Sequence, residues 1–232
     1  MPRGALDHSL SSCNNLNSLC LQSPGTVDVT YDAFRLYFHS LTSLDTKSCG
    51  AFSSRVVQDI MTSCPSLKTL RAYMLMAMDV LGEEEIADLR SGSPSDRRPR
   101  DWVCLGLETF SVCITEFMND SYYRLIFQRL AKLTRLEVLD VGTGDKGCMK
   151  YDVSCLKFRI DHGMGALVSL RRLRWLGLTG LRQQMDVADI QWMLRSWPHL
   201  ERVSGVSNTN RLQVDGLEAE LQKRGFIKRD TD

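Results

Sequence analysis

The chain has 232 residues, of which 43% are hydrophobic, so it can bury a sizeable core in one domain or two. Its 29 basic and 28 acidic residues give a net charge of +1, which offers no bulk attraction to nucleic acid or to an anionic membrane. The start of the chain lacks the apolar stretch of a secretory signal, and no apolar run approaches the roughly 20 residues that span a bilayer. We therefore expect a cytoplasmic or nuclear protein, with no nucleic acid and no membrane as partner.

One short pattern recurs seven times along the chain: an apolar residue, two variable residues, a leucine, two variable residues and another apolar residue. The central leucines, called anchors below, are Leu16, Leu41, Leu67, Leu107, Leu136, Leu173 and Leu200. Most intervals between anchors are 25 to 29 residues, and two are longer, at 40 and 37. Self-similarity at this period is typical of a solenoid, and this leucine spacing is typical of leucine-rich repeats.

The residues that follow each anchor alternate between apolar and variable, which predicts a short strand in every copy. Strands separated by longer, partly helical segments imply parallel pairing through right-handed crossovers. We therefore predict an α/β fold: a single domain over 1–232 that forms an irregular leucine-rich-repeat solenoid. Its parallel strands would line the concave face, with helices or loops on the convex face. Irregularity is expected because the eighth position after the anchor, usually Asn or Cys, matches only at Cys49 and Asn208.

The connecting segments predict five helices, at about 30–40, 54–64, 121–132, 187–196 and 216–224. Asp120 and Asp186 stand at the N-cap positions of the third and fourth helices, and Pro65 ends the second. The last is expected to be a C-terminal capping helix. The aromatic content of 30–40 leaves a strand possible there.

The two long intervals predict inserted loops at about 82–101 and 142–162. The first is polar and rich in Ser, Gly, Pro and charge, as surface loops are. The second is glycine-rich and ends in a strand-like segment at 156–160, so an extra strand is possible there. Insertions in solenoids often project from the binding face.

The eight cysteines include no Cys-x-x-Cys pair, which fits a reducing compartment. Cys13, Cys64 and Cys104 each stand three residues before an anchor, where other copies have large apolar residues. We expect these three to be buried as small hydrophobes. Cys148, Cys155 and His162 are spaced by seven residues, which matches no common zinc pattern, so no metal site is predicted.

A Gly-x-Gly-x-x-Gly sequence, Gly142 to Gly147, directly follows the predicted fifth strand and resembles the first motif of S-adenosylmethionine-dependent methyltransferases. In such folds a helix opens straight after the glycines, and an acidic residue about 20 positions on binds the ribose. Asp161 stands near that distance, but residues 148–157 have no amphipathic period. We favour a loop between repeats, with no cofactor and no enzymatic activity; a methyltransferase remains the alternative.

Positions one, two and four after each anchor are predicted to face away from the core and to form a mixed-charge strip. The candidate protein-binding residues in that strip are Lys68, Arg71, Glu108, Ser111, Glu137, Asp140, Arg174, Trp175, Glu201 and Arg202. Trp175 is the large aromatic among them, with Arg174 beside it and Arg202 near it in the proposed register. Because Trp and Arg dominate binding hot spots, we predict that a partner is anchored there. The alternative is that the inserted loop covers Trp175.

Five motifs carry a resemblance to a known family: CPSLKTL (64–70), CLGLETF (104–110), LTRLEVLDVG (133–142), LRRLRWLGLTGL (170–181) and WPHLERV (197–203). In this serial order they resemble the leucine-rich-repeat region of fungal F-box-like proteins. The resemblance implies a surface that binds a substrate protein, while an N-terminal F-box docks the adaptor of a cullin-type ubiquitin ligase.

The first repeat begins by Cys13, which leaves no room for an F-box within the chain. A ligase adaptor is therefore expected as a partner only if an F-box precedes this chain, which would make the chain a fragment. The leading prediction is the substrate-recognition part of a ubiquitin ligase receptor. The alternative is a stand-alone leucine-rich-repeat scaffold unrelated to ubiquitin.

Overall fold

Seven short strands form one sheet in the computed structural model, which describes residues 13, 15–21, 34–48, 52–91, 101–115, 120–142, 156–179, 183 and 185–205. The strands are β1 (Ser18–Cys20), β2 (Ser43–Asp45), β3 (Thr69–Met76), β4 (Thr109–Thr115), β5 (Val138–Asp140), β6 (Trp175–Gly177) and β7 (Arg202–Ser204). Their order in the sheet is their order in the chain, and every neighbouring pair is parallel. The predicted α/β architecture with parallel strands is confirmed.

All seven strands pair at the same offset from their anchors. The second residue after each anchor forms one continuous row across the sheet: Ser18, Ser43, Thr69, Thr109, Val138, Trp175 and Arg202. The turn before the strand is also repeated, because the anchor N–H donates to the carbonyl three residues earlier at Leu67, Leu107, Leu136, Leu173 and Leu200, over 3.0 to 3.3 Å. The sequence repeat therefore corresponds to a repeated backbone unit.

The core lies on one side of this sheet. The anchors from Leu41 to Leu200 are buried, and so are the inward residues of β2 to β7: Leu44, Leu70, Phe110, Leu139, Leu176 and Val203. A third row, three residues before the anchors, is buried as well: Phe38, Cys64, Cys104, Leu133, Leu170 and Trp197. Burying each leucine side chain contributes about 1.5–3 kcal/mol, so these rows account for much of the stability.

Cys13 is exposed, and the prediction that it is buried is wrong. It belongs to the first copy, whose strand β1 is paired on one side only, with β2. Leu16 and Leu19 of the same copy are only partly buried for the same reason. Cys64 and Cys104, which have neighbouring copies on both sides, are fully buried as predicted.

The connecting helices are α1 (Ser54–Ser63), α2 (Ala77–Ser91), α3 (Asp120–Ala131) and α4 (Val187–Ser196), with a 3-10 helix η1 (Met164–Ser169) before β6. The helices predicted at 54–64, 121–132 and 187–196 are confirmed, although α3 already begins at Asp120. Of the predicted helix at 30–40, residues 34–40 are described: Phe34 and Arg35 are helical and turns follow them, so no full helix forms in that part. The predicted capping helix at 216–224 lies outside the described residues.

The capping residue of α4 behaves as its sequence predicts. The side chain of Asp186 accepts a hydrogen bond from the Asp189 N–H over 3.0 Å, and Asp189 accepts one from the Asp186 N–H over 3.0 Å. This reciprocal capping box satisfies two backbone donors that the first turn of a helix leaves without partners. Asp189 also accepts the Ile160 N–H over 2.9 Å, which ties the preceding loop to the helix.

The prediction of a loop from residue 82 is wrong for 83–91, which are helical. Gly82 adopts φ 80° and ψ 158°, a conformation that favours glycine and that separates α2 into two helical segments. Ile86 in the second segment packs into the hydrophobic core and is 3% exposed. The polar composition of this stretch concealed the burial of Ile86. Residues 92–100 lie outside the described part.

In the second predicted insertion, 142–162, the described part is packed against the core without forming a strand at 156–159. Leu156 and Phe158 are buried. The amide of Gln183, which is 1% exposed, accepts the Phe158 N–H and donates to the Leu156 carbonyl, both over 2.9 Å. A side chain thus satisfies backbone groups that a neighbouring strand would otherwise pair.

Candidate functional site

The sheet has a second side, opposite the buried leucine row, which carries the residues one, two and four positions after the anchors. We call it the open face. Strands β3 to β7, with the residue before each, bring all ten predicted binding residues onto it: Lys68 and Arg71, Glu108 and Ser111, Glu137 and Asp140, Arg174 and Trp175, and Glu201 and Arg202. The face is built from the repeat itself: alternation along each strand points the second and fourth positions away from the core, and the first-position residues before the strands are exposed or half-buried.

A row of charged residues of both signs crosses the open face at the first position after the anchors: Lys68, Glu108, Glu137, Arg174 and Glu201. The backbone N–H groups of Glu108, Glu137, Arg174 and Glu201 each donate to the preceding member of the row, over 2.8–2.9 Å. Lys68 Nζ lies 4.0 Å from Glu108 Oε1, and Arg174 Nη2 lies 2.7 Å from Glu201 Oε1. The hydrogen bond to Glu201, with the charges of Glu201 and Glu137, raises the pKa of Arg174.

These ion pairs are exposed to solvent. The side chains of Lys68 and Glu108 are 60% and 45% exposed, and those of Arg174 and Glu201 are 54% and 60% exposed. Exposed pairs of this kind contribute little to stability, because solvent and salt screen their charges. Their charges therefore do little for the fold and can be exchanged for contacts with a partner.

Trp175 and Arg202 occupy paired positions on β6 and β7. The guanidinium carbon of Arg202 lies 5.5 Å from the centre of the Trp175 ring, within the range of a cation–π contact. The indole Nε1 of Trp175 donates to Ser204 Oγ over 3.4 Å. The predicted proximity of these two residues is confirmed, and Trp175 is half-buried.

A polar network crosses the middle of the open face. Lys47 Nζ donates to Ser111 Oγ over 2.8 Å and to Asp140 Oδ2 over 2.7 Å, and Ser111 Oγ donates to the same carboxylate oxygen over 2.7 Å. Asp140 Oδ1 accepts the Gly142 N–H over 3.1 Å. Lys47 follows β2 in a turn and belongs to no motif, so the sequence did not identify it.

Two predicted binding residues are engaged within this network. Ser111 is 5% exposed because neighbouring side chains cover its hydroxyl, which disfavours a direct contact with a partner, and its role in binding stays a prediction. The side chain of Asp140 is 14% exposed and holds Lys47, Ser111 and Gly142. Arg71, in contrast, is exposed and lies 3.9 Å from Asp45 at the edge of the network. Asp140 and Ser111 therefore hold neighbouring parts of the open face together, and the exposed charged residues around them can contact a partner.

Close packing explains why position 142, the first glycine of the methyltransferase-like motif, is a glycine. A Cβ at this position would lie 2.6 Å from the Thr179 carbonyl oxygen and 2.7 Å from the Thr179 nitrogen. Glycine is thus needed for the close approach of two chain segments that follow β5 and β6. Asp161 is bound by Arg159 over 2.8 Å, and this hydrogen bond lowers the pKa of Asp161. Gly144 and Gly147 lie outside the described residues.

The described ranges contain no group of three or more His, Cys, Asp or Glu side chains placed to hold a metal ion. Cys148 and Cys155 lie outside those ranges. No helix among the described residues is long and apolar enough to cross a lipid bilayer.

Comparisons with known proteins find matches among solved structures. No protein-family model matches the chain, and no curated protein matches it. Among solved structures, an internalin (inlF) from Listeria monocytogenes aligns at 13% sequence identity with a TM-score of 0.43. The alignment covers 96% of this chain and 63% of the internalin chain, so this chain spans less than two thirds of that protein's length. An identity and a TM-score this low carry no argument about function.

Proposed function

We propose that the chain is a leucine-rich-repeat solenoid that binds a protein partner on its open face, which would be the concave side of the solenoid. One observation carries the proposal: seven parallel strands follow one another in chain order and pair at one constant offset from their anchors. A repeat of this kind buries a continuous core on one side and presents a continuous array of variable side chains on the other.

The chemistry of the open face fits a protein surface. Its exposed charges have both signs, as at Lys68, Glu108, Arg174 and Glu201, so that a partner of mixed charge can be matched position by position. Trp175 adds a large aromatic side chain that Arg202 holds in place. Aromatic and arginine side chains supply most of the binding energy at typical protein interfaces.

The more specific part of the proposal is that the partner is a substrate and the chain is the substrate-recognition part of an F-box-type ubiquitin ligase receptor. It is supported by the serial order of the repeat motifs, which resembles that of fungal F-box-like proteins. An adaptor would join only through an F-box encoded ahead of this chain. A scaffold without any connection to ubiquitin would use the same face.

Site-specific photocrosslinking tests binding on the open face. A photoreactive amino acid is placed at Thr69 or Thr109, in the middle of the second-position row, and in a control at Gln191, exposed on α4. The chain is exposed to lysate of its source organism, and crosslinked peptides are identified by mass spectrometry. We expect a partner crosslinked at Thr69 and Thr109 and absent at Gln191. Equal capture from the helix position would overturn the proposal.

A second arm tests the ligase connection. The coding sequence extended upstream of Met1 is expressed with an affinity tag, and the purified complexes are analysed for a cullin adaptor. Recovery of the adaptor together with the crosslinked partner supports a substrate receptor. Recovery of the partner without the adaptor would show that the chain binds a protein but would contradict its role in a ligase.

A further inference from the structure

Basic residues are concentrated at one end of the sheet. Arg135 and Arg172 immediately precede the anchors Leu136 and Leu173, and Arg171 stands one residue earlier. All three are exposed, and none makes an ion pair with any residue that the structure describes. The corresponding turns before β3 and β4 carry Pro65 with Ser66 and Leu105 with Gly106, which have no charge.

The repeat places these arginines side by side. The turns before β5 and β6 have the same hydrogen bond, from Leu136 N–H to Leu133 and from Leu173 N–H to Leu170, and the Arg174 N–H donates to the Glu137 carbonyl over 2.8 Å. Equivalent residues on paired strands lie about 4.8 Å apart, so Arg135 and Arg172, which hold the same position before their anchors, lie in neighbouring turns at one edge of the sheet. The open face begins next to this edge. Arg174 and Arg202 lie on it, one and two residues after their anchors.

We define the arginine patch as Arg135, Arg171, Arg172, Arg174 and Arg202, with Trp175 between the last two. Two carboxylates lie within it, Glu137 and Glu201, and Glu201 is occupied by Arg174. The Arg202 guanidinium carbon lies 5.5 Å from the centre of the Trp175 ring, and no described carboxylate pairs with Arg202. A cation–π contact uses none of the guanidinium N–H groups as hydrogen-bond donors to an oxygen, so they can still bind a carboxylate through two parallel hydrogen bonds.

We infer that the partner of the open face contributes an acidic segment, rich in Asp and Glu and carrying one apolar side chain, which lies along the arginine patch. This inference rests on the proposed function and specifies the chemistry of the partner. The carboxylates pair with Arg135, Arg171, Arg172 and Arg202, and the apolar side chain packs beside Trp175. A polyphosphate backbone fits less well, because it has no apolar group for Trp175 and would be repelled by Glu137 and Glu201.

Fluorescence anisotropy with the full chain tests this. The probe is a labelled peptide with acidic residues on both sides of one Phe; the comparison probes replace its acidic residues with Lys, or its Phe with Ala. A single-stranded oligonucleotide of equal charge is the third comparison. We expect the acidic peptide to bind, the Lys peptide not to bind, and the Ala peptide and the oligonucleotide to bind at least 10-fold more weakly. Binding should weaken as salt is raised, since the contacts are exposed.

Matched variants locate the site. Arg171→Glu/Arg172→Glu should weaken acidic-peptide binding at least 10-fold, whereas Arg124→Glu/Arg195→Glu, the same charge change on exposed positions of α3 and α4, should leave it within about 2-fold. All four side chains are solvent-exposed, so circular dichroism should show both variants folded. Equal losses in the two variants, or tighter binding of the oligonucleotide, would overturn the inference.

Failure of the inference and failure of the proposed function give different results. If Thr69 and Thr109 crosslink to a partner but the acidic peptide does not bind, the open face is a binding surface. The inference that the partner contributes an acidic segment is then wrong. The same holds if the crosslinked segments of the partner contain no acidic run. If the open face crosslinks to nothing, the proposed function itself fails.

Discussion

The carboxylate of Asp140 lies directly over the α-carbon of Gly177 on the neighbouring strand, in the space that a side chain there would fill. A Cβ at Gly177 would lie 2.8 Å from Asp140 Cγ and 3.0 Å from Asp140 Cβ. Because Gly177 has no side chain, Asp140 can accept hydrogen bonds from Lys47 and Ser111 at the same time, each over 2.7 Å. The polar network of the open face therefore depends on a glycine two strands away from Ser111.

Gly177→Ala should displace Asp140 and destabilise the protein by about 1–3 kcal/mol, as inserting a methyl group into a well-packed site does. The free energy of unfolding is measured by urea titration. Gly106→Ala is the control, because nothing lies within 4 Å of a Cβ at Gly106, and it should change stability by no more than about 0.5 kcal/mol. Equal effects of the two substitutions would show that Gly177 is not sterically constrained.

A double-mutant cycle identifies the group that resists the new methyl. If Asp140 is that group, Gly177→Ala should cost less in an Asp140→Ala background, with a coupling free energy of about 0.5–3 kcal/mol. Both backgrounds are compared by urea unfolding under identical conditions. An unchanged cost in the Asp140→Ala background would assign the clash to another neighbour.

Two adjacent residues of β5 test which face of the sheet is the core. Leu139 is fully buried, and Val138, on the open face, is only partly buried. Leu139→Ala should destabilise by about 2–5 kcal/mol through lost burial and a residual cavity. Val138→Ala should cost much less, about 0.5 kcal/mol. Thermal and urea unfolding of the two variants give the comparison, and similar losses would contradict the assignment of faces.

Asp189, the acidic residue within α4, should be sensitive to substitution. It is 3% exposed and accepts backbone hydrogen bonds from Ile160 and Asp186. Asp189→Ala leaves two partly buried N–H groups without these partners and should cost about 1–2 kcal/mol. Asp189→Asn keeps one acceptor oxygen and should recover part of that loss in the same urea assay. If Asn were as damaging as Ala, the two hydrogen bonds would not be the cause.

Sequence alone could predict the strands, their order and the open face, because a repeat with period-two alternation fixes both the register and the side to which each residue points. The start of α4 was predictable from Asp186, because an N-cap residue forms its hydrogen bonds with residues next to it in the sequence. Lys47 was not predictable, since its contacts with Ser111 and Asp140 depend on how three strands stack. The helix at 83–91 was not predictable either, since the polar neighbours of Ile86 conceal that its side chain is buried. Cys13 differs from Cys64 only in lying at the sheet edge.

Cys64 and Cys104 should make the protein less stable at alkaline pH. Burial raises the pKa of each thiol from 9.0 to about 12, and Cys104 adds a smaller charge effect on Cys64. The folded state therefore retains both protons where the unfolded chain releases them. Between about pH 9 and pH 12 the folded state binds more protons than the unfolded chain. The stabilising contribution of these protonated thiols is therefore fully present below pH 9, and the free energy of unfolding decreases as the pH rises toward 12.

Urea unfolding between pH 8 and pH 10.5 measures this slope. The double variant Cys64→Ala/Cys104→Ala should be less stable at pH 8, because two buried side chains are shortened, but its stability should fall less steeply with pH. Alkylation at pH 8 gives an independent check: in the folded protein the peptide containing Cys20, which is exposed, should be modified, and those containing Cys64 and Cys104 should be protected. Parallel pH slopes in the two proteins, or rapid labelling of Cys64, would show that these thiols are not held buried and protonated within the core.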